Sequence, residues 1–328
     1  MSKRLRAALA AIPLMLVLMA PAVPAAADDD TDPEALVNAL NAIFGANAGK
    51  RAAHTHGFCV KGSFTPTDDA AKLSKAKHFS GKGPWPVIGR FSMGGGNPTA
   101  PNGQKDNARG LAIHIDLGDG NQTDMVMISA PVFAAKTPAK FLELLQTVAT
   151  KDKEKIGAFF KANPESTRQK AWLEARPVPA SYASVAYHGI HTFTLVNAAG
   201  EKQIIKWKLV PKGGEQSISD EEAKAKDPDF YKPEMTERLA KGPAEFDVTA
   251  ILGQSGDSLD DPTAFWPEDR KSVSIGTLTI AALEDDATCD SNMFDPTNVA
   301  DGIEGPENDG IFKIRSPAYA VSFSRRNQ

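Results

Sequence analysis

The amino-acid sequence predicts an α+β fold, an antiparallel β-barrel with helical insertions, formed by residues 28–328 as a single domain. Three observations lead there. Short or alternating apolar segments gather in two groups, within residues 87–129 and 190–283. Helical periodicity fills the interval between them. Strands and helices do not alternate regularly, as a doubly wound parallel sheet requires. No internal repeat occurs, and no linker rich in Ser, Gly or Pro divides the chain.

The elements follow in order. A helix within 28–46 opens at Asp32-Pro33-Glu34, with proline at the first helical position, and Leu36, Leu40, Ile43 and Phe44 recur at helical spacing. Residues 87–93, 111–117 and 124–129 read as strands, and Gly118-Asp119-Gly120-Asn121 turns between the last two. Thr137-Pro138 caps a helix whose Phe141, Leu144, Leu145 and Val148 repeat at steps of three and four. Asn163-Pro164 opens another, running to about Glu174 and stopped by the proline-rich residues 176–180. Strands return at 190–197, 203–211, 246–252 and 273–283, the first two joined by a hairpin at Asn197-Ala198-Ala199-Gly200. A last helix covers about 316–325, with Pro317 in its first turn and Arg315 just outside.

Composition excludes several classes. The chain has 328 residues, 41% apolar, enough for a sizeable core. Its 26 Gly and 23 Pro lie near average usage, which excludes collagen-like and low-complexity chains. Formal charge is −4 and falls to −7 once the three basic residues of the leader are removed. That acidity argues against nucleic acid as a partner, because phosphate neutralisation needs excess Lys and Arg.

Residues 1–27 read as a secretory signal peptide: Lys3, Arg4 and Arg6, an apolar run to Met19, small residues Ala25-Ala26-Ala27, then Asp28-Asp29-Asp30. The run is broken by Pro13 and is too short for a membrane anchor. The expectation is an exported chain, periplasmic or secreted, with no membrane contact after leader removal. In an oxidising compartment Cys59 and Cys289 either pair or remain two separate buried thiols; spacing does not choose between these. No C-x-x-C and no Cys/His metal spacing occurs, so the sequence offers no structural zinc site.

Common catalytic signatures are missing: no G-x-G-x-x-G, P-loop, G-x-S-x-G or H-E-x-x-H. Gly94-Gly95-Gly96 runs into Asn97-Pro98 rather than a helix, and reads as a loop. Taken alone, His54 is an ordinary hydrogen-bonded histidine and each arginine a solvated charge. Two patterns change the balance. Period-two geometry puts Arg90 and Ser92 on one face of a strand. Arg315, Tyr319, Ser322 and Arg326 fall on one helical stripe.

Arg51-Ala52-Ala53-His54-Thr55-His56-Gly57, Arg90-Phe91-Ser92, Asp106-Asn107-Ala108-Arg109-Gly110, Pro131-Val132-Phe133, His191-Thr192-Phe193-Thr194-Leu195-Val196-Asn197 and Arg315-x-x-x-Tyr319 resemble the landmark motifs of haem catalases. They stand in that family's order, from about residue 48 to the C-terminus. In length the chain is most similar to the small catalase-related peroxidases. The resemblance implies a catalase-like eight-stranded antiparallel barrel, a minimal core without the long arms and C-terminal domain.

It also implies roles. Tyr319 is the iron ligand, since tyrosine holds catalase haem, and Arg315 lowers the phenol's pKa. His54 is the distal general base and Ser92 its orienting partner. Arg51, Arg90 and Arg326 face the propionates of haem b. Ala53 takes the small position beside the histidine, and Phe133 and Phe141 line the haem. Ile128 stands where the family has its distal asparagine and cannot hydrogen-bond peroxide; a one-residue slip would put Ser129 there. The function implied is a haem peroxidase that reduces hydrogen peroxide or organic hydroperoxides with a small organic donor, with weak catalase activity at most. Alternatives are a fatty-acid hydroperoxide isomerase on the same fold and a non-enzymatic haem-binding protein. Without the family's arms, a monomer or dimer is expected.

Overall fold

The computed structural model describes residues 30–328; the leader assigned to 1–27 lies outside them. Eight antiparallel strands close on themselves: β1 (Gly57–Pro66), β2 (Trp85–Met93), β3 (Arg109–Gly118), β4 (Asn121–Ile128), β5 (Tyr187–His188), β6 (Lys202–Pro211), β7 (Ala244–Leu252) and β8 (Ser272–Leu283). Each pairs with the next in the order β1-β2-β3-β4-β5-β6-β7-β8, and β8 returns to β1. Strand Phe193–Val196 sits outside this cycle, paired with the start of β6 through the expected hairpin, where Asn197 and Lys202 flank the turn.

Closure explains the period-two pattern. Phe91, Leu111, Met127, Leu209, Val248 and Leu278 point inward and are buried in one continuous core. Their neighbours face outward. Across four adjacent strands the register aligns Gly57, Ser92, Gly110 and Ile128, with His188 of β5 next in the row. This row on the outer wall carries the candidate site.

Helices cover that wall. α1 (Pro33–Phe44) begins at Asp32, whose side chain accepts the Glu34 amide. α2 (Pro138–Ala149) begins at Thr137, which accepts from Lys140. α3 (Lys153–Ala162) carries a single fully buried residue, Phe159. Pro164–Thr167 makes a tight 3-10 turn before α4 (Arg168–Glu174). α5 (Gly310–Arg326) packs on α1 and α2, where Leu36, Ala39 and Leu145 form a small apolar cluster with Phe141 and Ile314.

Several expectations need correction. β1 and the two-residue β5 were not among the expected strands, and they complete the eight. α3 was not expected either. α5 starts at Gly310, not near 316, because Asp309 caps it by accepting the Phe312 amide. Arg315 is therefore inside the helix, and Pro317 sits in its interior, where it removes one helical hydrogen bond. The cysteines pair: Cys59 on β1 and Cys289 on the short helix Asp286–Asp290 form a disulfide, their Cα atoms 5.7 Å apart.

Candidate active site

The distal side is built on the segment preceding β1. His54 occupies left-handed backbone (φ 55°), rare for a residue with a side chain and a form of strain that concentrates at functional sites. Its carbonyl accepts from Arg90 Nη1 at 2.7 Å, and the Thr55 carbonyl accepts from Arg90 Nη2 at 3.0 Å. Its Nδ1 lies 2.9 Å from Ser92 Oγ. The two residues that period two placed on one face of β2 thus both hold His54, one by backbone and one by side chain. Burial, then the charges of Arg90, Arg315 and Arg51, push the His54 pKa down to about 4. At neutral pH the imidazole is uncharged and able to accept a proton.

Gly110 makes room for that ring. A Cβ there would stand 2.7 Å from Ser92 Oγ and 2.8 Å from His54 Nδ1. Below the segment, the triple-glycine loop packs under Ala52 and α1: a Cβ on Gly96 would meet the Ala52 carbonyl at 2.5 Å. This run is a close-packing surface. Ile128 lies directly across from Gly110. Ser129 turns away, its hydroxyl accepting the Arg109 amide at 2.9 Å, which leaves Ile128 as the neighbour of Gly110 in the outer-wall row. Arg109 is itself buried and bonded to Asn102, Asn107 and Tyr231, a scaffold rather than a pocket group.

The opposite side is α5. Arg315 Nη2 and Nε donate to the Tyr319 hydroxyl at 2.6 and 3.0 Å. Arg315 Nη1 reaches His191 Nε2 at 3.0 Å, and His191 Nδ1 meets Asp309 Oδ2 at 2.6 Å. A guanidinium can only donate, so Nε2 accepts and the imidazole proton sits on Nδ1, directed at Asp309. Burial pushes the His191 pKa down against the pull of Asp309. Asp309 thus does two jobs: it caps the helix bearing Tyr319 and orients the far end of the chain that reaches its oxygen. Ser322, one turn further, accepts the Ala52 amide at 3.1 Å and ties α5 to the distal segment.

Three guanidiniums gather at one end. Arg51 pairs with Asp290 and donates to the Cys289 carbonyl at 2.5 Å. Arg326 donates to the carbonyls of Asp290 and Asn292 at 3.0 and 2.8 Å. Burial, then the charge of Arg51, push Arg90 and Arg326 down to about 10. The Cys59–Cys289 disulfide fixes the short helix that supplies these partners. Phe133 and Phe141 pair at 4.9 Å between ring centres, and Phe141 also belongs to the helical cluster. Ala53 is half-buried beside His54.

These residues fit a haem. The Arg326 Nε is buried without a partner, and three arginines share few carboxylates, so this end has donors to spare for propionates. Tyr319 presents an oxygen held by two N–H groups of one guanidinium, on a residue type that can ligate haem iron. Sequence reasoning missed Asp309 and Gly110 as site residues. Asp309-Gly110-type signals were present only as a loop-like Asn308-Asp309-Gly310 and as one glycine within a matching motif.

The family model Catalase matches residues 35–327. A catalase-related peroxidase of Synechococcus elongatus is 36% identical over 304 residues, covering 90% of this chain and 89% of that protein. One from Mycolicibacterium paratuberculosis is 34% identical, covering 90% and 94%. Catalase A from Saccharomyces cerevisiae superposes with a TM-score of 0.76 at 21% identity, over 85% of this chain and 62% of the yeast chain, a likeness of fold. Catalase family proteins bind haem, and this chain is a member of the catalase family.

Proposed function

We propose that the chain is a haem b peroxidase that reduces hydrogen peroxide or organic hydroperoxides with a small organic donor and has weak catalase activity. Its family match and the two catalase-related peroxidases make it an oxidoreductase acting on peroxide. The observation that carries the finer reading is the neutral, Ser92-held His54 beside an apolar Ile128, with the clamped Tyr319 on the helix bonded to the same segment.

The chemistry a bound haem would supply is the pair of electrons needed to split the peroxide O–O bond. Everything else falls to side chains. His54 Nε2 takes the proton from one peroxide oxygen and returns it to the departing one. Ser92 fixes the ring through Nδ1. Arg51, Arg90 and Arg326 would hold the propionates of a bound haem, Phe133 and Phe141 would line it, and Tyr319 would hold its iron. Disproportionation requires a second peroxide to be bound and oxidised in the same space, and Ile128 offers it no hydrogen bond. An organic donor needs none there. The disulfide supports the export expected from the leader, since such bridges persist in oxidising compartments; a periplasmic or secreted monomer or dimer is proposed.

Steady-state peroxide consumption by purified holoprotein, with and without an organic donor at matched peroxide, tests this. Donor-dependent turnover exceeding oxygen evolution is expected. Oxygen evolution that no donor accelerates would overturn it.

A further inference from the structure

The outer wall continues past Ile128 to an exposed aromatic patch that the peroxide site does not use. The Arg176 guanidinium lies 3.2 Å from the ring centre of Trp172 and donates to the Trp172 carbonyl at the end of α4. The indole meets Phe265 at 5.7 Å and the His188 ring edge-to-face at 6.1 Å. Phe265 is 45% exposed, and with Leu259 it is one of the two exposed large apolar side chains among the described residues. Both lie in the loop between β7 and β8.

Three links join this patch to the distal wall. His188 is the cross-strand neighbour of Ile128, itself across from Gly110 beneath His54. Two strand spacings of about 4.8 Å separate His188 from Gly110. Gln169 of α4 donates to the Val132 carbonyl at 3.0 Å, and Phe133 donates its amide to Pro262 of the loop at 2.8 Å. The patch is thus built into the site's framework. The His188 imidazole has no hydrogen-bond partner among the described residues, and burial with the charges of Lys208, Arg176 and Lys206 keeps it neutral. Glu215 and Glu268 also act on Arg176, an exposed residue whose guanidinium stacks on the indole.

We propose that Trp172, Arg176 and Phe265 form a surface site for a small aromatic donor bearing a carboxylate. The donor's ring packs on Phe265 and Trp172, its carboxylate pairs with Arg176, and its electron enters past His188 and Ile128. An indole is a large, polarisable ring suited to such contact. The balance is simple: each of two phenols loses one electron and one proton, and these reduce one peroxide to two waters. The inference rests on the peroxidase reading.

The test uses holoenzyme with ferulate, a phenolic carboxylate, and guaiacol, its uncharged counterpart. With peroxide and a nitroso spin trap but no donor, the Trp172 indole loses an electron and its N–H proton, and peptide mass spectrometry finds the adduct there. Ferulate suppresses the adduct. Arg176→Gln raises the ferulate KM by about three- to fivefold, the range of an exposed ion pair, with a much smaller change for guaiacol. Trp172→Phe removes the adduct and most ferulate turnover. No adduct at Trp172, or an unchanged ferulate KM in both variants, overturns the site while donor oxidation continues. A wild-type enzyme that oxidises neither donor defeats the peroxidase reading instead, and with it this site.

Discussion

Arg315 places two N–H groups on the single phenolic oxygen of Tyr319, at 2.6 and 3.0 Å, while its third nitrogen is held by His191. The two N–H groups fix the position of that oxygen, and His191 in turn fixes the guanidinium, as supporting contacts do for a metal ligand. Tyr319→Phe is expected to emerge without haem. Arg315→Leu keeps the ligand but loses the clamp, and haem affinity falls by about 10–100-fold, the usual cost of losing a supporting contact to a metal ligand. Haem content by pyridine haemochromogen, and retention during transfer to apomyoglobin, measure both. Full retention in Tyr319→Phe removes Tyr319 from ligand duty.

Gly110 gives a sharper probe of the distal side than deleting the base itself. Gly110→Ala puts a methyl within 3 Å of both Ser92 Oγ and His54 Nδ1, with a strand on either side, so the imidazole must tilt. The expected loss in the rate of reaction with peroxide is about 10²-fold, the lower end of what a general base contributes, and His54→Ala loses about 10²–10⁴-fold. Haem content stays near wild type in both. Stopped-flow mixing with peroxide reads the rate, and an undisturbed rate in Gly110→Ala would mean that the ring has room to move.

Most of the barrel was legible from short apolar runs bounded by turns, some of which alternate cleanly, as β3 does from Leu111 to Leu117. β1 was not. Its Gly57-Phe58-Cys59-Val60-Lys61-Gly62 stretch has three consecutive buried residues, then a bulge between Lys61 and Gly62 that shifts the register, so no period of two survives. β5 is too short to show a period at all. α3 buries only Phe159 and offers no apolar stripe. Pro317 pointed to a later start for α5, whereas the capping carboxylate of Asp309 sets it six residues earlier. At the site, residues in sequence motifs were found readily. Asp309 was not, because its contact with His191 spans 118 residues and only the folded barrel brings the two together.

Acid should destabilise the protein well before its carboxylates titrate. His54, His78 and His188 are held neutral by burial, with pKa values near 4, 3 and 3. In the unfolded chain each binds a proton at about 6.5. Below that value the unfolded state takes up more protons than the native one, so stability falls with falling pH, by up to about 1.4 kcal/mol per pH unit for each histidine. The loss starts near pH 6.5 and levels off only as the folded-state values are passed. Urea midpoints from pH 7 to pH 4.5 check this: they should drop steadily, and His78→Phe should flatten the curve. A flat profile in the wild type would mean that these rings are not kept neutral in the fold.

On the proposed reading, Ile128 sets how the oxidising power is spent. It stands between Gly110 and His188 on the outer wall, with Ser129 turned to the Arg109 amide. Ile128→Asn adds an amide of similar length at that position, able to donate to a second peroxide while His54 handles the proton. Oxygen evolution without a donor is then expected to rise by about five- to tenfold, the worth of one net hydrogen bond of about 1 kcal/mol or slightly more. Ile128→Val supplies the control, since it shortens the side chain without adding a polar group, and oxygen evolution should not rise. A Clark electrode reads disproportionation, and donor absorbance reads peroxidation in the same preparation. If Ile128→Asn evolves no more oxygen than Ile128→Val, with haem fully loaded in both, the side chain at 128 does not set the ratio of the two reactions.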